Sequence, residues 1–82
     1  MKIKILSSAL NDLSMGRKFY EKQGEGLGEY FFDSIFSDID SLTLYGGIHQ
    51  KVYGYHRMLA KRFPYAIYYK IEENKIAVVW RV

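Results

Sequence analysis

Tyr53, Tyr55, His56, Arg57, Lys61, Arg62 and Tyr65 interleave cations with aromatic rings over a short stretch of chain. On sheet strands such a mixture can stack bases on its rings and hold phosphates with its cations. The same pattern also describes a sheet whose aromatics enter the core and whose cations border it, so both readings stay open. Other chemistry finds less support. His49 and His56 are spaced without a carboxylate pair to complete a ligand set, so no metal is expected. No Gly-x-Ser-x-Gly stretch occurs, and no Ser/His/Asp arrangement is legible. The absence of cysteine removes a thiolate nucleophile, a thiolate zinc site and any disulfide. Gly24, Gly26 and Gly28 imitate a phosphate loop, but a helix precedes them, Glu29 takes the offset of the third glycine, and Glu25 lies inside. A plain helix–helix turn is the expectation there, and no cofactor is expected.

The 82 residues are enough for one domain, residues 1–82. Aromatic residues at 17% exclude a disordered chain and make packed rings the main core material. Charge is uneven. Residues 1–50 hold five Lys/Arg against seven Asp/Glu, whereas residues 51–82 hold seven against two. A basic C-terminal half favours an anionic partner, nucleic acid or acidic protein, although a solvated basic face has the same composition. The N-terminus has no apolar core of signal-peptide length, and no run of about 18 apolar residues occurs. No membrane association is expected, and the expected location is the cytoplasm.

The elements that would position these residues follow from periodicity. Lys2–Leu6 alternates as a strand, with Ile3 and Ile5 on one side. Ser7-Ser8 offers an N-cap to a helix reaching about Gln23, in which Ala9, Leu13, Gly16 and Tyr20 share a face. Gly16 costs a helix about 1 kcal/mol against alanine, which the close approach of a second helix would justify. A second helix runs from about Gly26 or Leu27 to Leu44 on the stripe Leu27, Phe31, Ile35, Ile39 and Leu42, with Phe32 and Phe36 widening it and Asp33, Asp38 and Asp40 mostly opposite. Tyr45-Gly46-Gly47 ends it. Val52–Leu59 reads as one strand, with Tyr53, Tyr55, Arg57 and Leu59 on one face. Lys61-Arg62-Phe63-Pro64 connects it to a strand over Tyr65–Ile71. Glu72-Glu73-Asn74-Lys75 reads as a hairpin turn with Asn74 at positive φ. Ile76–Val82 reads as a last strand covered on both faces. The order is β-α-α-β-β-β: an α+β fold with a helical hairpin packed on a small, mainly antiparallel sheet.

Read in order, these segments resemble the RelE/ParE superfamily of type II toxins, also labelled plasmid stabilization proteins. The resemblance spans nearly the whole chain. It rests on Ala9, Asp12-Leu13, Phe19-Tyr20-Glu21-Lys22-Gln23, Gly26-Leu27-Gly28 and Phe31. Its most specific part is Tyr55-His56-Arg57-Met58-Leu59 leading into Arg62-Phe63-Pro64-Tyr65-Ala66-Ile67-Tyr68-Tyr69-Lys70, a stretch typical of the ParE-like branch. The resemblance implies a cytoplasmic toxin neutralised by a small cognate antitoxin, whose C-terminal segment wraps it. It implies contact with operator DNA only through that antitoxin. ParE-like members poison DNA gyrase, whereas RelE-like members cut mRNA on the ribosome.

Matched position by position, the cleavage reading weakens. RelE-like enzymes carry an arginine just after the tyrosine matching Tyr65, where this sequence has Ala66, and further functional residues past the last strand, where this sequence stops at Val82. Arg57, Lys61, Arg62 and Arg81 are the weak catalytic candidates: they can supply positive charge, but no neighbouring group is evident to move a proton. The expectation is therefore a ParE-like toxin, leaning away from an enzyme. Its antitoxin or target contacts are expected at Tyr53, Tyr55, Arg57, Arg62 and Tyr65, on the first helix's outer side, and at the sheet edge. The alternatives are a RelE-like ribosome-dependent endoribonuclease, or a shortened, inactive member that only holds an antitoxin or forms a homodimer.

Overall fold

The computed structural model describes residues 2–73 and 76–81. Strand β1 (Lys2–Ile5) leads into helix α1 (Ser7–Gln23), helix α2 (Leu27–Asp40) and a single turn, α3 (Leu42–Tyr45). Strands β2 (Lys51–Val52), β3 (Tyr55–Leu59), β4 (Ala66–Glu72) and β5 (Ile76–Arg81) follow. They form one sheet in the order β1-β5-β4-β3-β2. β1 joins β5 in parallel, and the other pairs are antiparallel. The α+β arrangement is the expected one: a helical hairpin lies on one face of a mainly antiparallel sheet.

The hairpin closes through glycine. A Cβ on Gly16 would stand 2.7 Å from the Phe31 ring, and one on Gly28 would stand 2.7 Å from the Arg17 carbonyl oxygen. Each helix thus offers a glycine where the other presses against it, as Gly16 led us to expect. The Gly24–Gly28 turn is sealed from within. The Glu21 carboxylate accepts from the Gly26 and Gly28 amides at 3.2 and 3.0 Å, so the amides that open α2 already hold an anion. Arg17 adds an ion pair to Glu29 and sits over the Phe32 ring. Behind the helices, Ala9, Leu13, Phe31, Ile35, Ile39 and Leu42 meet Met58, Ile67, Tyr69 and Val79 of the sheet.

Four expectations need correction. Val52–Leu59 is two strands, because Tyr53 and Gly54 both take positive φ (52° and 83°) and turn the chain back as a tight hairpin. The second helix stops at Asp40. There the Ser41 hydroxyl donates to the Asp38 carbonyl at 2.5 Å, and α3 restarts one residue later. Ser7 and Ser8 are the first residues of α1 rather than its cap; Leu6 is the cap, with its amide still donating to the Val79 carbonyl in line with the β1–β5 ladder. Asp38 is not on the solvent side. It is 4% exposed, and its Oδ2 accepts from the Lys61 amide at 3.1 Å, tying α2 to the β3–β4 connection. Within the 72–75 hairpin it is Glu73 that takes positive φ; Asn74 lies outside the described residues. The expectation that β5 is covered on both faces falls mostly on side chains outside the described residues.

Candidate functional site: an apolar groove beside Tyr65

The β3–β4 connection is braced by backbone hydrogen bonds and packed rings. The Ala60 amide donates to the Tyr65 carbonyl and the Tyr65 amide to the Phe63 carbonyl, both at 2.8 Å, so the chain folds tightly around Pro64. Phe63 points inward as a wedge. Its ring lies 5.1 Å edge-on from Phe31, 4.8 Å from Tyr20 and 5.5 Å from Tyr30. Tyr65 joins the same cluster at 5.0 Å from Phe31 and 6.2 Å from Tyr20. Such ring pairs are worth about 0.5–1.5 kcal/mol each beyond the area they bury. The Arg-Phe-Pro-Tyr stretch is therefore a structural plug that fixes where Tyr65 emerges.

Tyr65 emerges between two cavities. On one side Asp12, Met15, Gly16 and Phe19 of α1 enclose about 290 Å³ against its ring. On the other, Arg57, Leu59, Ala60, Phe63, Pro64 and Ala66 enclose a further 290 Å³ or so. The two are open depressions that share Tyr65, one on the outer flank of α1 and one on the sheet side, and together they are termed the groove beside Tyr65. Its apolar walls are exposed: Met15 is 70% exposed, Phe19 54% and Leu59 64%. A protein that works alone gains nothing by wetting these side chains, and a partner that dries them gains about 25 cal/mol per Å².

The residues singled out from sequence are thereby separated. Arg57 and Tyr65 meet at the second cavity. Arg57 is also registered opposite Tyr68, and Tyr68 opposite Arg81, so these three occupy one row across β3, β4 and β5. Lys61 and Arg62 are exposed on the connection and line neither cavity; what Lys61 contributes is its backbone amide to Asp38. Tyr53 and Tyr55 sit at the other end of the sheet. Tyr53 is 98% exposed at the hairpin tip, and Tyr55 lies on the outer face with the Lys70 ammonium 4.4 Å from its ring. Met15 and Phe19 had not been assigned a role, although their four-residue spacing beside the core stripe of α1 marks a second apolar flank.

As a catalytic centre the groove is poor. Among the described residues, the second cavity offers one guanidinium and one phenol, and no His, Asp or Glu lines it. Burial, then Tyr20 and Asp12, pushes the Tyr65 hydroxyl above the ordinary tyrosine value, which keeps it a protonated phenol near neutrality, with no phenolate to act as a base. No His/Cys/Asp/Glu cluster suited to a metal occurs among the described residues. Among them, too, no helix is long and apolar enough to cross a membrane.

The histidines lie elsewhere and are tied into the core. The Tyr69 hydroxyl accepts from the Gly47 amide at 3.0 Å and donates to His49 Nδ1 at 2.5 Å, while His56 Nδ1–H donates to the His49 carbonyl at 2.7 Å. Burial, and after it the charge of His56, depresses the His49 pKa below 6.5. The folded state therefore binds the His49 proton less readily than the unfolded chain does. The corresponding stability is complete above pH 6.5 and is lost as pH falls below it toward the folded value. Thermal unfolding between about pH 7.5 and about pH 5 should show a falling midpoint, and His49→Gln should flatten that fall. An unchanged pH profile in the variant would remove His49 from the account.

No protein-family model matches the sequence, and no curated protein matches it. A solved structure described as the chromosomal ParDE TA system from P. aeruginosa contains a chain of the same fold. It covers 99% of this chain and 91% of its own length with a TM-score of 0.85, at 17% sequence identity. At that identity the likeness is one of fold.

Proposed function

We propose that residues 1–82 are one ParE-like toxin domain of a type II toxin–antitoxin module. In this reading the groove beside Tyr65 receives an apolar segment of the cognate antitoxin, and the free toxin inhibits DNA gyrase in the cytoplasm without a cofactor. The observation that carries the reading is the exposure of Met15, Phe19 and Leu59 along a groove held rigid by the Phe63 plug. An extended or helical segment laid there would bury this apolar stripe while Arg57 lines it with positive charge, which suits an acidic antitoxin. The fold shared with a chain of a ParDE system supports the same assignment. The choice of gyrase over ribosome-bound mRNA is supported by Ala66 beside the second cavity and by the lack of His, Asp or Glu among the described residues of its lining.

Co-expression with the acidic product of the adjacent reading frame tests the proposal. The two chains should co-purify, and expression without the partner should arrest growth. Purified protein should block gyrase supercoiling at micromolar concentration and leave translated mRNA uncut in primer extension. Codon-dependent cuts would move the chain to the RelE-like class. Harmless expression with tight partner binding would mark a module that only holds an antitoxin. Failure of any partner to bind would sink the proposal.

A further inference from the structure

The chain between α3 and β2 is held against the core face of the sheet by side chains of the sheet itself. Tyr45-Gly46-Gly47-Ile48 is a type II turn. The Ile48 amide donates to the Tyr45 carbonyl at 3.3 Å, Gly46 has φ −58° and ψ 133°, and Gly47 has φ 96°. The Tyr69 hydroxyl, on a side chain with no exposed surface, accepts from the Gly47 amide at 3.0 Å and meets His49 Nδ1 at 2.5 Å. His56 is stacked on the Tyr69 ring at 5.0 Å and 20°, and its Nδ1 lies 2.7 Å from the His49 carbonyl. The Arg57 amide closes the segment by donating to the Gln50 carbonyl at 2.9 Å.

Counting hydrogens places the protons. A carbonyl only accepts, so His56 Nδ1 carries a hydrogen. Burial raises the Tyr69 pKa, and hydrogen bonds from the Gly47 and His49 amides offset part of that rise. Near neutrality Tyr69 is therefore a phenol whose oxygen already accepts amide hydrogens. Its own hydrogen goes to His49 Nδ1, and neutral His49 keeps its proton on Nε2. A further proton on His49 would sit on Nδ1 and confront the Tyr69 hydrogen. That hydrogen cannot turn to water, because Tyr69 is sealed from solvent, and a buried donor without an acceptor is unfavourable. The titratable groups around His49 are His56 of β3, Tyr69 of β4, Tyr45 of α3 and Lys51 of β2, which shares the face of His56; none is a carboxylate. Lys2, Lys4, Lys70 and Glu72 are turned to the opposite face by strand alternation. At the end of α2, Asp38 is taken up by the Lys61 amide and Asp40 is exposed.

We propose that His49 and Tyr69 form a proton-operated latch: neutral His49 fastens residues 46–50 to the core face of the sheet, and protonated His49 releases them and loosens β2, a two-residue edge strand, with them. The latch shares no residue with the groove beside Tyr65 and does not depend on the toxin reading. Its sign follows from the depressed His49 pKa, which burial causes first and His56 second. The closed form binds the proton less readily than the open one, so the latch is shut above pH 6.5 and opens as pH falls below it. Opening is local, ahead of global unfolding. The test is NMR of the full chain between about pH 7.5 and about pH 5. Imidazole nitrogen shifts at the upper pH should show opposite tautomers, Nε2–H for His49 and Nδ1–H for His56. On acidification, hydrogen-exchange protection of the Gly47 and Arg57 amides should fall at least about fivefold. The Leu6 and Ala60 amides, bonded to the Val79 and Tyr65 carbonyls, are the references and should hold. Two variants move the latch in opposite directions. Tyr69→Phe removes the hydroxyl and should leave Gly47 and Arg57 poorly protected at every pH. His49→Asn offers Oδ1 where Nδ1 stood and should keep them protected at the lower pH. A parallel loss at Leu6 and Ala60, protection at Gly47 and Arg57 that ignores pH, or His49 in the Nδ1–H tautomer would overturn the proposal.

Discussion

Phe31→Ala should cost about 3–5 kcal/mol of stability, the usual range for emptying a buried aromatic site. Phe31 has no exposed surface and is the ring on which the two layers converge. It fills the space left by Gly16, lies 5.0 Å from Tyr20 and from Tyr65, and takes the edge of Phe63 at 5.1 Å. Removing it opens a cavity whose walls cannot easily collapse. Helices α1 and α2 are already in contact through Gly16 and Gly28, and the Phe63 loop is pinned by the Asp38–Lys61 hydrogen bond. A chain of this length has roughly 4–12 kcal/mol in total, so the variant should lose about 15–30 °C in Tm or fail to fold cooperatively. Phe19→Ala is the control, since that ring is 54% exposed, and it should cost under about 1 kcal/mol. Urea unfolding of the two variants decides the matter. A loss below about 1.5 kcal/mol for Phe31→Ala would show that the aromatic cluster relaxes into the gap.

Phe31 also illustrates what was legible in the sequence. The stripe Leu27, Phe31, Ile35, Ile39 and Leu42 recurs at helical spacing, so the buried face of α2 follows from period alone. The alternation in Lys2–Leu6 gave β1 in the same way. Asp38 was misplaced although the period contained the answer: it stands three residues after Ile35 and four before Leu42, in the middle of the stripe. Its polarity points to solvent while its spacing points to the core. A carboxylate tolerates that burial because the Lys61 amide meets it, and that partner is 23 residues away. The Tyr53-Gly54 turn escaped because its first residue is tyrosine at positive φ, where asparagine or aspartate would have advertised it. The His49–Tyr69–His56 arrangement was out of reach for the same reason as Asp38, since it depends on the register that sets His56 opposite Tyr69.

The candidate groove divides along the same line. Tyr65 and Arg57 were picked out by type and neighbourhood, and they do meet. Tyr53 and Tyr55 were grouped with them because they are near in sequence, but β3 carries the two ends of the group apart. The outer side of the first helix is an expected contact surface, but Met15 and Phe19 do not stand out on it, because an exposed apolar residue on a helix is ordinary when it stands alone. Only the fold shows that Tyr65 arrives beside them and turns two scattered side chains into a wall.

Met15→Glu/Phe19→Glu should therefore abolish antitoxin binding while leaving the fold intact. Both side chains point away from the core, at 70% and 54% exposure, and glutamate is a good helix former, so thermal stability should change by less than about 1 kcal/mol. The binding penalty has three parts that act together. The apolar contact area of both residues is lost. Two carboxylates must be dried beneath the incoming segment or keep it away. They also join Asp12 on the same wall, so an acidic partner meets three carboxylates on the α1 side where the wild type has one. A loss of at least about 100-fold in affinity, or about 2.7 kcal/mol, is expected by calorimetry with the purified antitoxin. Leu44→Glu is the matched control, on a residue that is 80% exposed on α3 and remote from the groove, and it should bind within about threefold of wild type. In cells the double variant should escape neutralisation, so growth arrest persists even when the antitoxin is co-expressed. Wild-type affinity in a folded double variant would exclude the α1 side of the groove as the docking wall and shift the contact to Leu59 and Pro64 beyond Tyr65. If the Leu44 control lost affinity as well, the effect would be one of overall charge and the groove would have no special claim.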